Sequence, residues 1–149
     1  MIMNKWFKNK MKMGPIYVKT AMTRKKYLEQ IEGIEISEGY RHFLLNPNRV
    51  ISRYRVAGYA ELEKRSRDRI NEIDRKILTH NFCKCGYSNE QVKMIVEYII
   101  SSTGLEGRSL DPRDYTVDKD LNVTFHSIKE RLKLIEKDKS NQGSLEMNI

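Results

Sequence analysis

Apolar positions recur along this chain at helical spacing over most of its length and at strand spacing in two short stretches. The best-specified segment runs through Val92, Ile95, Val96, Ile99 and Ile100, an i, i+3, i+4, i+7, i+8 stripe that places five branched side chains on one helix face. Ser88 with Gln91 three residues later forms a capping box ahead of it, and Gly104 stands where a C-terminal cap belongs. Upstream, a long helix is predicted from about Ala57 to Leu78. Its apolar stripe is clear only in the second half, at Ile70, Ile73, Ile77 and Leu78. The first half is mostly charge, with Glu61–Arg65 and Glu63–Arg67 spaced as i,i+4 pairs that suit a face turned to water or a partner.

Shorter elements flank this pair. Thr23 is placed to cap a helix reaching about Ile31, which Gly33 would terminate. Ser37 is placed to open another, carrying Tyr40, Phe43, Leu44 and Leu45 and closed by Asn46-Pro47-Asn48. Ile16 to Met22 and Val50 to Val56 read as strands by composition. In an extended Val50–Val56, Ile51, Arg53 and Arg55 would project to one side. Near the C-terminus, Tyr115–Val117 and Val123–Phe125 flank a turn-rich Asp-Lys-Asp-Leu-Asn and predict a β-hairpin. Ser127 with Glu130 is a second capping box, opening a helix through Ile128, Leu132 and Ile135. The expected fold is α+β: a mostly helical single domain over residues 15–136 with a short hairpin near the C-terminus. A basic amphipathic N-terminal extension, residues 1–14, precedes it, and a polar tail, residues 137–149, follows.

Composition narrows the class. At 149 residues the chain is long enough to bury a core without disulfides or metals. No apolar run approaches the roughly 20 residues of a membrane-spanning helix. Cys83 and Cys85 lie one residue apart, too close for an ordinary structural disulfide, which points to a reducing compartment. The basic N-terminus lacks the continuous apolar stretch of a secretory signal. The expected location is therefore cytoplasmic or inside a virion or nucleoprotein particle rather than secreted.

Charge changes the picture more. The net charge is +8, and residues 1–56 account for all of it, with twelve Lys/Arg against four Glu; residues 57–149 balance at sixteen of each sign. No acidic residue precedes Glu29. Lys5, Lys8, Lys12, Lys19, Arg24, Lys25, Lys26, Arg53 and Arg55 are interleaved with aromatic residues, Tyr54 among them. Cations of this kind neutralise phosphates, and exposed rings can stack on unpaired bases. These ten residues are the candidate nucleic-acid or polyanion contacts. On a helix, Trp6 and Phe7 would anchor the extension on a partner protein or an anionic surface. No sequence-reading motif is present, so the expected contact is to the backbone and tolerant of sequence.

Other chemistry finds thinner support. His80, Cys83 and Cys85 fall within six residues and offer zinc's preferred ligand types, with His126 or His42 as a fourth donor if the fold brings it close. The single C-x-C nevertheless lacks the second pair of a structural zinc knuckle. The plainer alternative is a helix-to-helix turn holding two buried free thiols. Asp111, Asp114, Asp118 and Asp120 gather around the hairpin and are of the type that binds magnesium, but turns favour Asp on conformational grounds. Neither a phosphate-binding glycine loop nor a nucleophile–base spacing occurs. The sequence thus predicts a small non-enzymatic basic protein that contacts nucleic acid or another acidic surface through its N-terminal third, in a nucleoprotein or viral assembly. The alternatives are a structural subunit docking on other subunits by its N-terminal arm, and a zinc-stapled module or small metal-dependent nuclease.

Overall fold

The computed structural model describes Val18, residues 20–103 and 108–126, together with Lys129, Glu130, Leu132, Lys133 and Glu136. The N-terminal extension with Lys5, Trp6, Phe7, Lys8 and Lys12, the residues Lys19, Gly104 and Ser127, and the tail 137–149 lie outside the described residues. Within them the fold is α+β, mostly helical: α1 (Arg24–Gln30), α2 (Glu38–Leu45), α3 (Pro47–Val56), α4 (Ala60–Cys83) and α5 (Asn89–Thr103) precede a 3-10 turn (Pro112–Asp114) and a hairpin of β1 (Tyr115–Val117) and β2 (Val123–Phe125). The strands pair antiparallel in the register Tyr115↔Phe125, Thr116↔Thr124, Val117↔Val123. Lys129, Glu130, Leu132, Lys133 and Glu136 are helical, as the C-terminal helix requires.

Helix α4 is the axis. Its 24 residues span about 36 Å at 1.5 Å per residue, and it packs against α1, α3, α5 and the 3-10 turn. Ile70, Ile73, Ile77, Leu78 and Phe82 are fully or almost fully buried, as are Val92, Ile95, Val96 and Ile99 from α5. Both predicted stripes therefore meet in one cluster, which Tyr115 and Val117 of the hairpin extend. Burying each such side chain stabilises by about 1.5–3 kcal/mol relative to exposure. The stripe of α4 runs past Leu78 to Phe82, so the helix continues five residues beyond its predicted end. The capping box forms as read, with Gln91 N donating to Ser88 Oγ at 3.2 Å and Ser88 N to Gln91 Oε1 at 2.9 Å.

Two expected strands are corrected. Val50–Val56 belongs to helix α3, because Asn46 ends α2 and Pro47 occupies the first turn of the next helix, where its missing N–H costs nothing. Pro47, Val50, Ile51 and Tyr54 then fall at i, i+3, i+4 and i+7 and turn inward, a helical stripe that outweighs the β-branched composition. Thr20–Met22, the described end of the other expected strand, is non-helical but joins no sheet. Its backbone is held by a side chain instead, with Met22 N donating to Asn81 Oδ1 at 3.0 Å. The long helix also begins at Ala60 rather than Ala57. Gly58 adopts φ 78°, a left-handed conformation in which Tyr59 N reaches back to Tyr54 O at 2.9 Å and closes α3.

Candidate functional site: a basic cleft and an aromatic groove

Two polar residues interrupt the apolar stripe of α4, and both organise the N-terminal segment. Asp74, fully buried, accepts from Arg24 Nε at 2.6 Å and Nη2 at 2.9 Å, while Arg24 Nη1 donates to Leu44 O at 3.0 Å. One turn pair further on, Asn81 accepts from Met22 N and donates through Nδ2 to Leu110 O at 3.0 Å. Asp74 and Asn81 thus tie residues 22–24 and the 108–113 loop to the same helix. Thr23 caps α1 by accepting from Lys26 N at 3.2 Å.

The result is a cleft of about 530 Å³ between the start of α1, the end of α2 and the 108–113 loop. Among the described residues four cations line it, Arg24, Lys26, Arg108 and Arg113, against one carboxylate, Asp111. Arg24 is engaged inward as described. Arg113 is gripped by Asp111 through Nε at 2.9 and 3.0 Å and Nη2 at 2.5 Å, so its charge is matched locally. Arg108 is exposed, with its guanidinium 4.9 Å from the centre of the Phe125 ring, a cation–π contact. Ser109 steadies the loop, accepting from Asp111 N at 3.0 Å through Oγ and from the Tyr115 hydroxyl at 2.9 Å through its carbonyl. Burial pushes the Tyr115 phenol well above its ordinary range, which keeps it a neutral donor.

The remaining predicted contacts among the described residues are dispersed. Lys25 is exposed and lies 3.6 Å from Glu29. On helix α3, Arg53 and Arg55 stand about 200° apart rather than side by side as a strand would place them. Arg53 is exposed, whereas Arg55 Nε donates to Glu63 Oε1 at 2.7 Å. That bond is the leading cause holding the Glu63 carboxyl below its ordinary range. Tyr54 is half-buried and lines a second concavity of about 420 Å³, with Tyr40, Phe43, Val50, Arg65 and Arg69.

The four metal candidates are not brought together, and among the described residues no three His, Cys, Asp or Glu side chains converge on a metal-sized site. His80 packs edge-on to Tyr27 with ring centres 6.0 Å apart. Burial, helped by the Lys84 charge, lowers its pKa. Cys83 is exposed. Cys85 turns its thiol back to Asn81 O at 3.5 Å. His126 lies beside the hairpin between the Thr116 hydroxyl and Glu130 Oε2, 3.2 Å from its Nδ1. The aspartates of the turn are engaged as turn residues: Asp118 accepts from Asp120 N at 2.8 Å and from Asn122 N at 2.9 Å, and these bonds, those of Asn122 foremost, hold its carboxyl below the usual range.

Sequence reasoning missed Asp74, Asn81, Arg108 and Arg113. The first two carried a signal, since a polar residue placed i+4 from Ile70 or Ile77 falls inside the apolar stripe and must find a partner there. Nothing in the spacing of Arg108 and Arg113 connects them to Lys26; only the packing does. No helix among the described residues is long and apolar enough to cross a membrane. Comparison of the chain with protein-family models, curated proteins and solved structures finds no match.

Proposed function

We propose that this chain is a small non-catalytic protein that contacts nucleic acid through the phosphate backbone, using its basic N-terminal third. The observation that carries the reading is the partition of charge: residues 1–56 hold the entire net +8, and the balanced remainder supplies most of the scaffold. The basic cleft supports it, because Lys26 of that third and Arg108 line one concave surface, where the one lining carboxylate among the described residues grips Arg113. Cations so placed release counterions on meeting phosphate, a driving force independent of base sequence.

The test is a fluorescence-anisotropy titration of the full chain against labelled oligonucleotides of mixed sequence over a range of salt. The logarithm of the affinity is expected to fall linearly with log salt, and the slope should shrink by about 0.7–0.9 for each phosphate contact removed in Lys26→Gln and Arg108→Gln. Deleting residues 1–13 should flatten it further. Binding that is absent, or indifferent to salt, refutes the reading.

A further inference from the structure

The second concavity has the composition of a base-binding surface rather than of a packing defect. Tyr40 and Phe43 of α2 meet edge to face with ring centres 6.2 Å apart. Both are half-buried and packed against the core, so each is fixed on one side and open on the other. Tyr54 of α3 closes the groove from the adjacent helix, and Arg65 and Arg69 of α4 form its rim. Arg69 Nε donates to the Tyr40 hydroxyl at 3.3 Å, which fixes the ring while leaving the remaining guanidinium donors exposed. Arg65 reaches Glu61 at 3.4 Å in a fully solvated pair of low strength, which a phosphate can displace. At about 420 Å³ the groove lies within the size range of small-ligand sites and has room for a nucleobase.

We infer that the groove formed by Tyr40, Phe43, Tyr54, Arg65 and Arg69 is a stacking site for an unpaired base of single-stranded nucleic acid. This assignment rests on the nucleic-acid reading above and sharpens it. Aromatic faces accept any base, and the two arginines are placed for the flanking phosphates. Bases inside a duplex present their edges and hide their faces, so the groove selects single strands over duplex of the same length.

The experiment compares single-stranded and duplex forms of one labelled oligonucleotide, with a single-stranded 2-aminopurine probe as the reporter of stacking. The wild-type chain should favour the single strand and quench the 2-aminopurine emission. Tyr54→Ala should weaken single-strand binding by about 5- to 100-fold and remove the quenching, with duplex binding changed little. Tyr54→Phe keeps a ring of the same shape and should restore both, which separates loss of stacking from loss of fold. Arg65→Gln should reduce the single-strand salt slope by about 0.7. Salt-sensitive binding that shows no single-strand preference, or that survives Tyr54→Ala unchanged, overturns the stacking site and leaves the phosphate reading standing. Absence of salt-sensitive binding to either form overturns both.

Discussion

Asp74→Asn is the sharpest single perturbation available to this fold. The wild-type carboxylate is fully buried and receives two guanidinium N–H groups at 2.6 and 2.9 Å from a side chain that is itself only 11% exposed. The amide is nearly isosteric, so little cavity forms and the change is electrostatic. It removes the negative charge and presents an NH2 where one guanidinium donor points, so the Arg24 guanidinium loses the carboxylate that receives two of its N–H groups. Breaking a buried pair by removing one partner costs about 3–5 kcal/mol, out of a total stability of about 5–15 kcal/mol for a domain of ordinary stability. With a urea m-value of about 2 kcal/mol/M, the denaturation midpoint should fall by about 1.5–2.5 M. Equilibrium urea unfolding, followed by far-UV circular dichroism, reads this directly. The double variant Arg24→Met/Asp74→Leu replaces the pair by apolar groups of similar size and should recover most of the loss, because neither charge is then left alone. A midpoint for Asp74→Asn within about 0.5 M of wild type would refute the claim that this pair anchors the N-terminal segment to α4.

Two further outcomes follow from the same interior. Asn81→Leu leaves Met22 N and Leu110 O without their present partner and should cost about 1–3 kcal/mol for each buried group stranded. Amide exchange at Met22 should accelerate, and unchanged exchange there would count against the tie. His80 supplies the pH dependence. Its folded pKa is lowered, first by burial and then by Lys84, so the unfolded chain, with a histidine near about 6.5, takes up the proton first. The contribution of neutral His80 is therefore complete above about pH 6.5 and declines as pH falls from there through the lowered folded value. Melting temperatures measured from about pH 7.5 to about pH 5 should fall more steeply for wild type than for His80→Gln, and parallel profiles would contradict the assignment.

Much of this architecture was legible in the chain, and the physical reasons are local. Ser88 and Gln91 form their reciprocal cap because both partners lie within one turn. The hairpin spans the predicted residues because Asp118 can satisfy the turn amides by itself. The α5 stripe needed only its own period to announce a buried face. Where local signals conflicted, reading by composition failed. Val50–Val56 carries β-branched residues, yet Pro47 at a helix start and the inward set Pro47, Val50, Ile51 and Tyr54 outweighed them once α4 offered a face to cover.

What the sequence determined by itself was the inventory: helices with their caps, a hairpin, and a net charge confined to residues 1–56. Tertiary structure alone decided how that charge is used. It turned Arg24 inward to Asp74, paired Arg55 with Glu63, brought no three His, Cys, Asp or Glu side chains together on a metal-sized site among the described residues, and put Lys26 and Arg108 on one cleft. It also gathered Tyr40, Phe43 and Tyr54 beside two arginines of a different helix. The division has a simple cause: caps and stripes are satisfied by residues within a turn or two of one another. A charge finds its partner across 50 residues of chain, as Arg24 does, only after the helices between have packed.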